Sequence, residues 1–349
     1  MKNFLKALVI GMLLVGAVST SSAQLQLTGA GSTFIYVIAT KWFDVYHQKT
    51  GTQFNYQSIG SGAGIKQVTE GTVDFGATDG PMTDEQLSEA KQKQGTDILH
   101  LPAIMGGEAI TYNEPAIKGK LRLTPEVIAG IYLGEITMWN DAKIKAANPG
   151  MSLPSTSILV VHRSDGSGTS YIFTDYLSKV STEWEQKVGR GTSVNWPVGL
   201  GGKGNEGVSG LVKQTEGSIG YVELAYAVKN NLPYASVQNK AGVFLDPTFE
   251  TVTAAAAGAA KHMPADLRVS ITNADGKNSY PICGFTWFLV PKQIKDKTKA
   301  EALVKFLKWA FTDGQKYAKD LLYSPLPKQV VALNEKKIAS ITYNGKPIK

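Results

Sequence analysis

One arginine and four hydroxyl residues fall within nine positions of this chain, in the run His162-Arg163-Ser164-Asp165-Gly166-Ser167-Gly168-Thr169-Ser170. A guanidinium is a permanently charged fork of N–H donors that suits a carboxylate or a tetrahedral oxyanion. Glycines let the backbone come close to a ligand, and hydroxyls add neutral donors. The chemistry open to such a set is the holding of an anion. His162 is the one nearby group that could act as a base. Successive strand residues point to opposite faces, however, so it reads as a packed or solvated histidine. The run reads equally well as a plain capped turn with a solvated arginine, and on these residues alone both readings stand.

The elements around the run decide what it can face. Ile158-Leu159-Val160-Val161 precedes it as a short apolar strand, and Phe173, Tyr176, Leu177 and Val180 follow at helical spacing. The run is therefore a strand-to-helix turn, whose first helical N–H groups and dipole favour negative charge. Two more turns of this type stand earlier. Thr28-Gly29-Ala30-Gly31-Ser32-Thr33-Phe34 leads into a helix marked by Ala39, Trp42, Phe43 and Tyr46. Phe34 takes the place of the third glycine of a dinucleotide fingerprint, so a small anion suits this turn better than a nucleotide. Phe54-Asn55-Tyr56-Gln57-Ser58 alternates like a strand, and Gly60-Ser61-Gly62-Ala63-Gly64 then opens a helix over 65–70. Three such turns at the carboxyl ends of strands are how an α/β sheet builds a ligand crevice. Asp79 ends a fourth short strand, over 73–78, before Gly80-Pro81, where a turn aspartate is also common.

The rest of the chain sets limits. Lys2 and Lys6, an apolar run over 7–18 and Ser21-Ser22-Ala23 form a secretory leader, expected to be cleaved after Ala23. Removing those two lysines lowers the net charge from +7 to +5. The basic residues are scattered, so no nucleic-acid partner is expected. Cys283 is the single cysteine, and the four histidines (47, 100, 162 and 262) lack ligand spacing, so neither a disulfide nor a metal is expected. Long apolar stretches over 101–112 and 280–290 are places for the chain to pass between lobes. Thr83 with Gln86, and Thr182 with Glu185, are capping-box patterns, and Thr124-Pro125 starts a helix ending near Gly134. The glycine-dense loop over 199–210 fails the P-loop pattern, because Gly204 follows Lys203, and it reads as a shaped wall or the start of a helix. An alanine-rich surface helix is expected over 252–260. Leu303, Phe306, Leu307, Ala310 and Phe311 mark a core helix.

The three glycine-hydroxyl turns, together with Val73-Asp74-Phe75-Gly76-Ala77-Thr78-Asp79, Gly199-Leu200-Gly201-Gly202-Lys203-Gly204-Asn205, Gly220-Tyr221-Val222-Glu223 and Tyr323-Ser324-Pro325-Leu326-Pro327, resemble the periplasmic phosphate-binding protein family of bacterial high-affinity phosphate import. The likeness runs in order through essentially the whole mature chain. It implies an α/β, two-lobed periplasmic solute-binding protein of type II, with phosphate enclosed in a cleft between discontinuous lobes joined by two crossing strands. The lobes would be 24–105 plus 283–349, and 106–282. The resemblance also implies a ligand set: Thr33 and Phe34 through amides and the Thr33 hydroxyl, Ser61 through hydroxyl and amide, and Arg163 as the one cation. Ser167, Gly168 and Thr169 would complete the cage, Asp79 would accept the phosphate's proton, and Asp165 would steady the Arg163 fork. The partners implied are inorganic phosphate and the inner-membrane permease subunits of an ABC transporter, with a monomeric, cofactor-free, periplasmic receptor that is not an enzyme. Ser32 is not expected to disturb the neighbouring amides, and Cys283-Gly284-Phe285 stands in the second crossing where small hydroxyl residues would be expected. The competing readings are a secreted phosphatase, a receptor for sulfate or molybdate, and an adhesin with an incidental anion site. The first would need an activated nucleophile or a metal cluster.

Overall fold

The computed structural model describes residues 25–348, so the expected leader over 1–23 lies outside the described residues. The first segment alternates strand and helix: β1 (Gln26–Gly31), α1 (Tyr36–Thr50), β2 (Gln53–Ser58), α2 (Ser61–Glu70), β3 (Phe75–Thr78), α3 (Asp84–Gln94) and the long β4 (Ile98–Asn113). The middle segment carries β5 (Arg122–Leu123), α4 (Pro125–Leu133), α5 (Ala142–Ala147), β6 (Leu159–Arg163), α6 (Gly168–Val180) and α7 (Thr182–Lys187). It continues through β7 (Leu200–Gly202), α8 (Gly204–Gln214), β8 (Ser218–Glu223), α9 (Leu224–Lys229), β9 (Ser236–Gln238), β10 (Phe244–Leu245) and α10 (Phe249–Lys261). The chain then returns through β11 (Cys283–Pro291), α11 (Lys297–Phe311), α12 (Lys328–Ile338) and the hairpin β12 (Thr342–Tyr343) and β13 (Lys346–Pro347).

Eight strands form one sheet in the order β2-β1-β3-β11-β4-β8-β6-β7. β1 runs parallel to β2 and β3, while β11 is antiparallel to both β3 and β4. β4 belongs to two half-sheets: residues 98–107 pair with β11, and residues 108–113 pair with β8. This accounts for its composition. Every β4 residue except Asn113 is buried, and all nine of β11 are, the near-continuous apolar run of strands covered on both faces. The apolar stretches read from sequence over 101–112 and 280–290 fall on these two strands: β4 contains the first, and β11 runs from Cys283 to Pro291.

Each half-sheet has its own aromatic packing. Phe43, Phe54 and Phe306 meet at ring centroid distances of 4.6–5.6 Å around β1 to β3. Phe306 comes from α11, whose expected core face is fully inside. In the other half, Phe173 stacks on Tyr221 at 4.3 Å, and His162 lies flat on Trp196 at 4.8 Å, a packed histidine. Two local expectations need correcting. α7 is capped by Ser181, which accepts from the Trp184 amide, one residue before the capping box read at Thr182. The alanine-rich helix α10 is not a surface helix throughout, since Val252, Ala255, Ala256 and Ala260 are buried. Alanine on an inner face permits close approach, which composition alone does not distinguish from exposure.

The α2 helix sits so close to the sheet that a Cβ on Gly64 would lie 2.5 Å from Gly31 Cα and within 2.9 Å of the Ala30 and Ala77 carbonyl oxygens. All three obstacles are backbone, which has no rotamer to yield. Gly64→Ala is expected to destabilise the protein by about 1–3 kcal/mol, lowering its Tm by several degrees in calorimetry. An unchanged Tm would show that α2 is free to slide.

Candidate functional site

Asp79 lies one residue past β3 and is 2 % exposed. Its carboxylate collects hydroxyl donors from three separate places. Ser32, just after β1, lies 2.6 and 2.7 Å from the two oxygens; Thr286, on β11, donates at 2.6 Å; Ser61, heading α2, lies at 3.3 Å. The Asp79 amide returns a bond to Ser61 Oγ at 3.2 Å. Burial pushes the Asp79 pKa up to about 6, with the Ser32 and Thr286 hydroxyls, the Arg163 charge and Ser61 pulling against it.

Arg163 ends β6 with a side chain 1 % exposed. Its Nε and Nη2 grip the two Asp165 oxygens at 2.8 and 2.6 Å, a bidentate pair, and Nη1 donates to Thr169 Oγ1 at 3.0 Å. Burial alone would raise the Asp165 pKa, but Arg163 and the Gly204 amide, 3.0 Å from Oδ1, hold it below the usual carboxylate range. Ser167 caps α6 by accepting the Ser170 amide at 2.9 Å. The amides of Gly168 and Thr169, the first two of that helix, come before the first intrahelical bond, which the Tyr171 amide makes to Ser167 O at 3.1 Å.

The two groups meet at close range. The Gly62 amide donates to Gly166 O at 2.8 Å, and a Cβ on Gly168 would stand 2.3 Å from Asp79 Oδ2 and 2.4 Å from Ser61 Oγ. Only glycine fits there. Thr33 is joined from the far side: its Oγ1 accepts from Asn205 Nδ2 at 2.8 Å and from the Asn205 amide at 3.2 Å, and its carbonyl accepts from Tyr226 at 2.7 Å. Asn205 Nδ2 also donates to Thr169 Oγ1 at 3.1 Å. Thr33 and Thr169 hydroxyl oxygens thus each accept two bonds, which leaves each with a single O–H to give. Tyr323 donates to Phe34 O at 2.6 Å, locking that backbone against the second-half carboxylate Glu223 at 3.3 Å.

Thr33, Phe34, Ser61, Asp79, Arg163, Asp165, Ser167, Gly168 and Thr169 are therefore neighbours, drawn from both half-sheets. Three contributors escaped the sequence reading. Ser32, treated there as a bystander, bonds Asp79 and also accepts the Phe34 amide at 3.0 Å, so that amide is engaged within its own turn. Thr286 supplies the hydroxyl of the second crossing, one residue beyond Cys283-Gly284-Phe285. The loop over 199–210 opens helix α8, one of the two roles expected of it, and Asn205 at the head of that helix reaches into the site, which was not expected. Cys283 is buried, and burial drives its thiol pKa upward, so it is inert. The arrangement brings N–H and O–H donors together with one cation, Arg163, and two carboxylates: Asp165, bound to that cation, and Asp79, met by hydroxyls. Among the described residues no group of three or more His, Cys, Asp or Glu side chains could hold a metal ion, and no helix is long and apolar enough to cross a membrane.

The raised Asp79 pKa has a sign that can be tested. The native state binds this proton up to about pH 6, whereas the unfolded chain releases it near 3.8. Stability is therefore lost as pH rises from about 4 to 6, by about 3 kcal/mol from this group. Tm measured over that range should fall less steeply in Asp79→Asn than in the wild type. Parallel curves would mean that Asp79 titrates normally.

A domain profile described as the PBP superfamily domain matches residues 17–314. The phosphate-binding protein PstS of Xylella fastidiosa (strain Temecula1) is 48% identical over 309 residues, covering 88% of this chain and 83% of that protein. PstS of Pasteurella multocida (strain Pm70) is 46% identical over 327 residues, covering 93% of each. A putative phosphate ABC transporter substrate-binding protein from Clostridium perfringens, solved with bound phosphate, shares the fold at a TM-score of 0.63 and 19% identity. The match covers 86% of this chain and all of that one.

Proposed function

The chain belongs to the PstS family of phosphate-binding proteins within the PBP superfamily, and from that premise we propose that it captures inorganic phosphate in the periplasm and delivers it to an inner-membrane ABC importer. The family is one of binding proteins, not enzymes. The observation that carries the reading is Asp79: a buried acceptor carboxylate inside a cage otherwise made of donors. Such a group repels a bare anion, and is useful only toward an anion that brings its own proton. Phosphate near neutral pH keeps at least one P–OH, while sulfate has none.

In this reading Arg163 supplies the positive charge, fixed by Asp165. The Thr33 and Thr169 hydroxyls donate, since Asn205 and Arg163 already occupy their lone pairs. Ser61, Ser167 and the amides at Thr33, Phe34, Gly168 and Thr169 complete the cage, the Phe34 amide exchanging Ser32 for the ligand. The lobes would be 24–105 plus 283–349 and 106–282; the change of β4 pairing between Gly107 and Glu108 supports a hinge there. A ligand bonded to both lobes stabilises the closed arrangement by its differential affinity for it. With residues 1–23 removed as a leader, the receptor would act as a periplasmic monomer.

Arg163→Ala is expected to weaken phosphate binding by about 1.5–3 kcal/mol, roughly tenfold to a hundredfold, without abolishing it. Binding of labelled phosphate at wild-type strength in that variant would place the site elsewhere. A second experiment tests the ligand itself. A site built around a required hydrogen bond rejects an analogue lacking it by about 10⁴–10⁵, so millimolar sulfate should not compete in the wild type. Asp79→Asn should keep phosphate within about tenfold while gaining measurable sulfate binding, because an amide can turn an N–H toward the ligand. The sulfate-to-phosphate affinity ratio of the two proteins, measured side by side, is decisive; an unmoved ratio would refute the selectivity argument.

A further inference from the structure

Beneath the cage lie two carboxylic groups that the reading above does not use. Glu108 and Glu223 are both 0 % exposed and stand directly opposite one another on β4 and β8, at the first residue pair after β4 leaves β11. Cross-strand partners project from the same face of a sheet with Cβ atoms about 5 Å apart. Both Glu108 carboxyl oxygens and Glu223 Oε1 are buried without a hydrogen-bond partner among the described residues. Glu223 Oε2 accepts from the Ala225 amide at 3.0 Å, and the Tyr323 hydroxyl oxygen, whose proton goes to Phe34 O, lies 3.3 Å from it.

The surroundings offer little to balance two charges. On the cleft side the pair feels Asp79 and Arg163; Tyr132, Tyr221, Tyr280 and Cys283 surround Glu108, and Tyr226 and Tyr323 flank Glu223. Arg163 is the one cation among these, and Asp165 already holds its fork. An anion bound in the cage would add negative charge above carboxylates that have nothing to neutralise them. Burial first raises both glutamate pKa values well above the ordinary range; the Asp79 charge adds to it for both and the Glu223 charge for Glu108, while the Ala225 amide pulls against it at Glu223 and Arg163 at Glu108.

We propose that Glu108 and Glu223 form a proton-binding pair in the floor of the cleft, which carries a proton at neutral pH and gains proton occupancy when the cage takes up phosphate. The proton comes from solvent and no bond other than O–H is made. By linkage, phosphate affinity then falls as pH rises through the range where the pair titrates, by up to tenfold per pH unit for one proton taken up. The coupling rests on the phosphate reading of the cage; the existence of the protonated pair does not.

Two measurements test it. Infrared spectroscopy of the ligand-free wild type at pH 7 should show the carbonyl stretch of a buried protonated carboxylic acid, diminished in Glu108→Gln and in Glu223→Gln. Absence of that band overturns the pair without any variant having to fold. Calorimetric titration with phosphate in buffers of different ionisation enthalpy counts protons taken up. The phosphate's own protonation and that of Asp79 are common to both proteins, so the wild type should take up more protons, by up to about one per phosphate, than the Glu108→Gln/Glu223→Gln double variant. Equal uptake overturns the coupling. A wild type with the infrared band but no saturable phosphate binding would instead refute the functional reading and leave the proton pair standing.

Discussion

Three hydroxyl groups converge on the Asp79 carboxylate, and much of the molecule is arranged to make that possible. An isolated ionised carboxylate taken out of water is expensive, and protein interiors tolerate one only when its lone pairs are met. Here Ser32 arrives from the turn after β1, Ser61 from the head of α2, and Thr286 from β11, which is separated from the other two by most of the chain. The order β1-β3-β11 in the sheet brings these elements side by side. The donor set on Asp79 is thereby tied to the topology of the half-sheet and not to a single loop.

The second half of the cage follows a different logic. Arg163, Asp165, Thr169, Gly204 and Asn205 form one network whose internal hydrogen bonds fix the position of each group while leaving the Thr169 O–H and further Arg163 N–H groups to give. Preorganisation of this kind removes the ordering cost from the binding step. The contact between halves is made at glycines. Gly60, Gly62, Gly166 and Gly168 have no side chain to keep the two surfaces apart, and at Gly60 and Gly168 a methyl group would collide with a carboxylate that matters to the site.

Much of this was legible from sequence because strand, glycine-hydroxyl turn and helix are contiguous in the chain. Arg163 and its turn, the turn at Gly60-Ser61-Gly62 and the packed His162 follow from local spacing. What was not legible depends on approach between distant segments. Thr286 looks like an ordinary strand threonine until β11 is laid beside β3, and Asn205 looks like loop filler until α8 is turned toward Thr33. Ser32 was read for its backbone, whereas its hydroxyl does the work. Asp79 was ambiguous with a turn residue for the same reason: its donors are named only by the fold. Glu108 and Glu223 sit in runs whose burial on both faces composition does not report.

β11 also constrains how the polypeptide can fold. It lies between β3 and β4, yet roughly two hundred residues separate Trp287 from its partner Thr78. The first half-sheet therefore has a missing central strand until nearly the whole chain is present, and α11, which supplies Phe306 to its aromatic core, comes later still. Contacts this far apart in sequence make for slow folding, since the entropy of closing the loop is lost before the contact is formed. The middle segment, by contrast, has its parallel strands β6, β7 and β8 close together in the chain and can assemble early. The half that carries Asp79 is thus the last to be completed, and a truncation anywhere between Asn113 and Cys283 would leave β3 and β4 with unpaired edges facing each other across an absent strand.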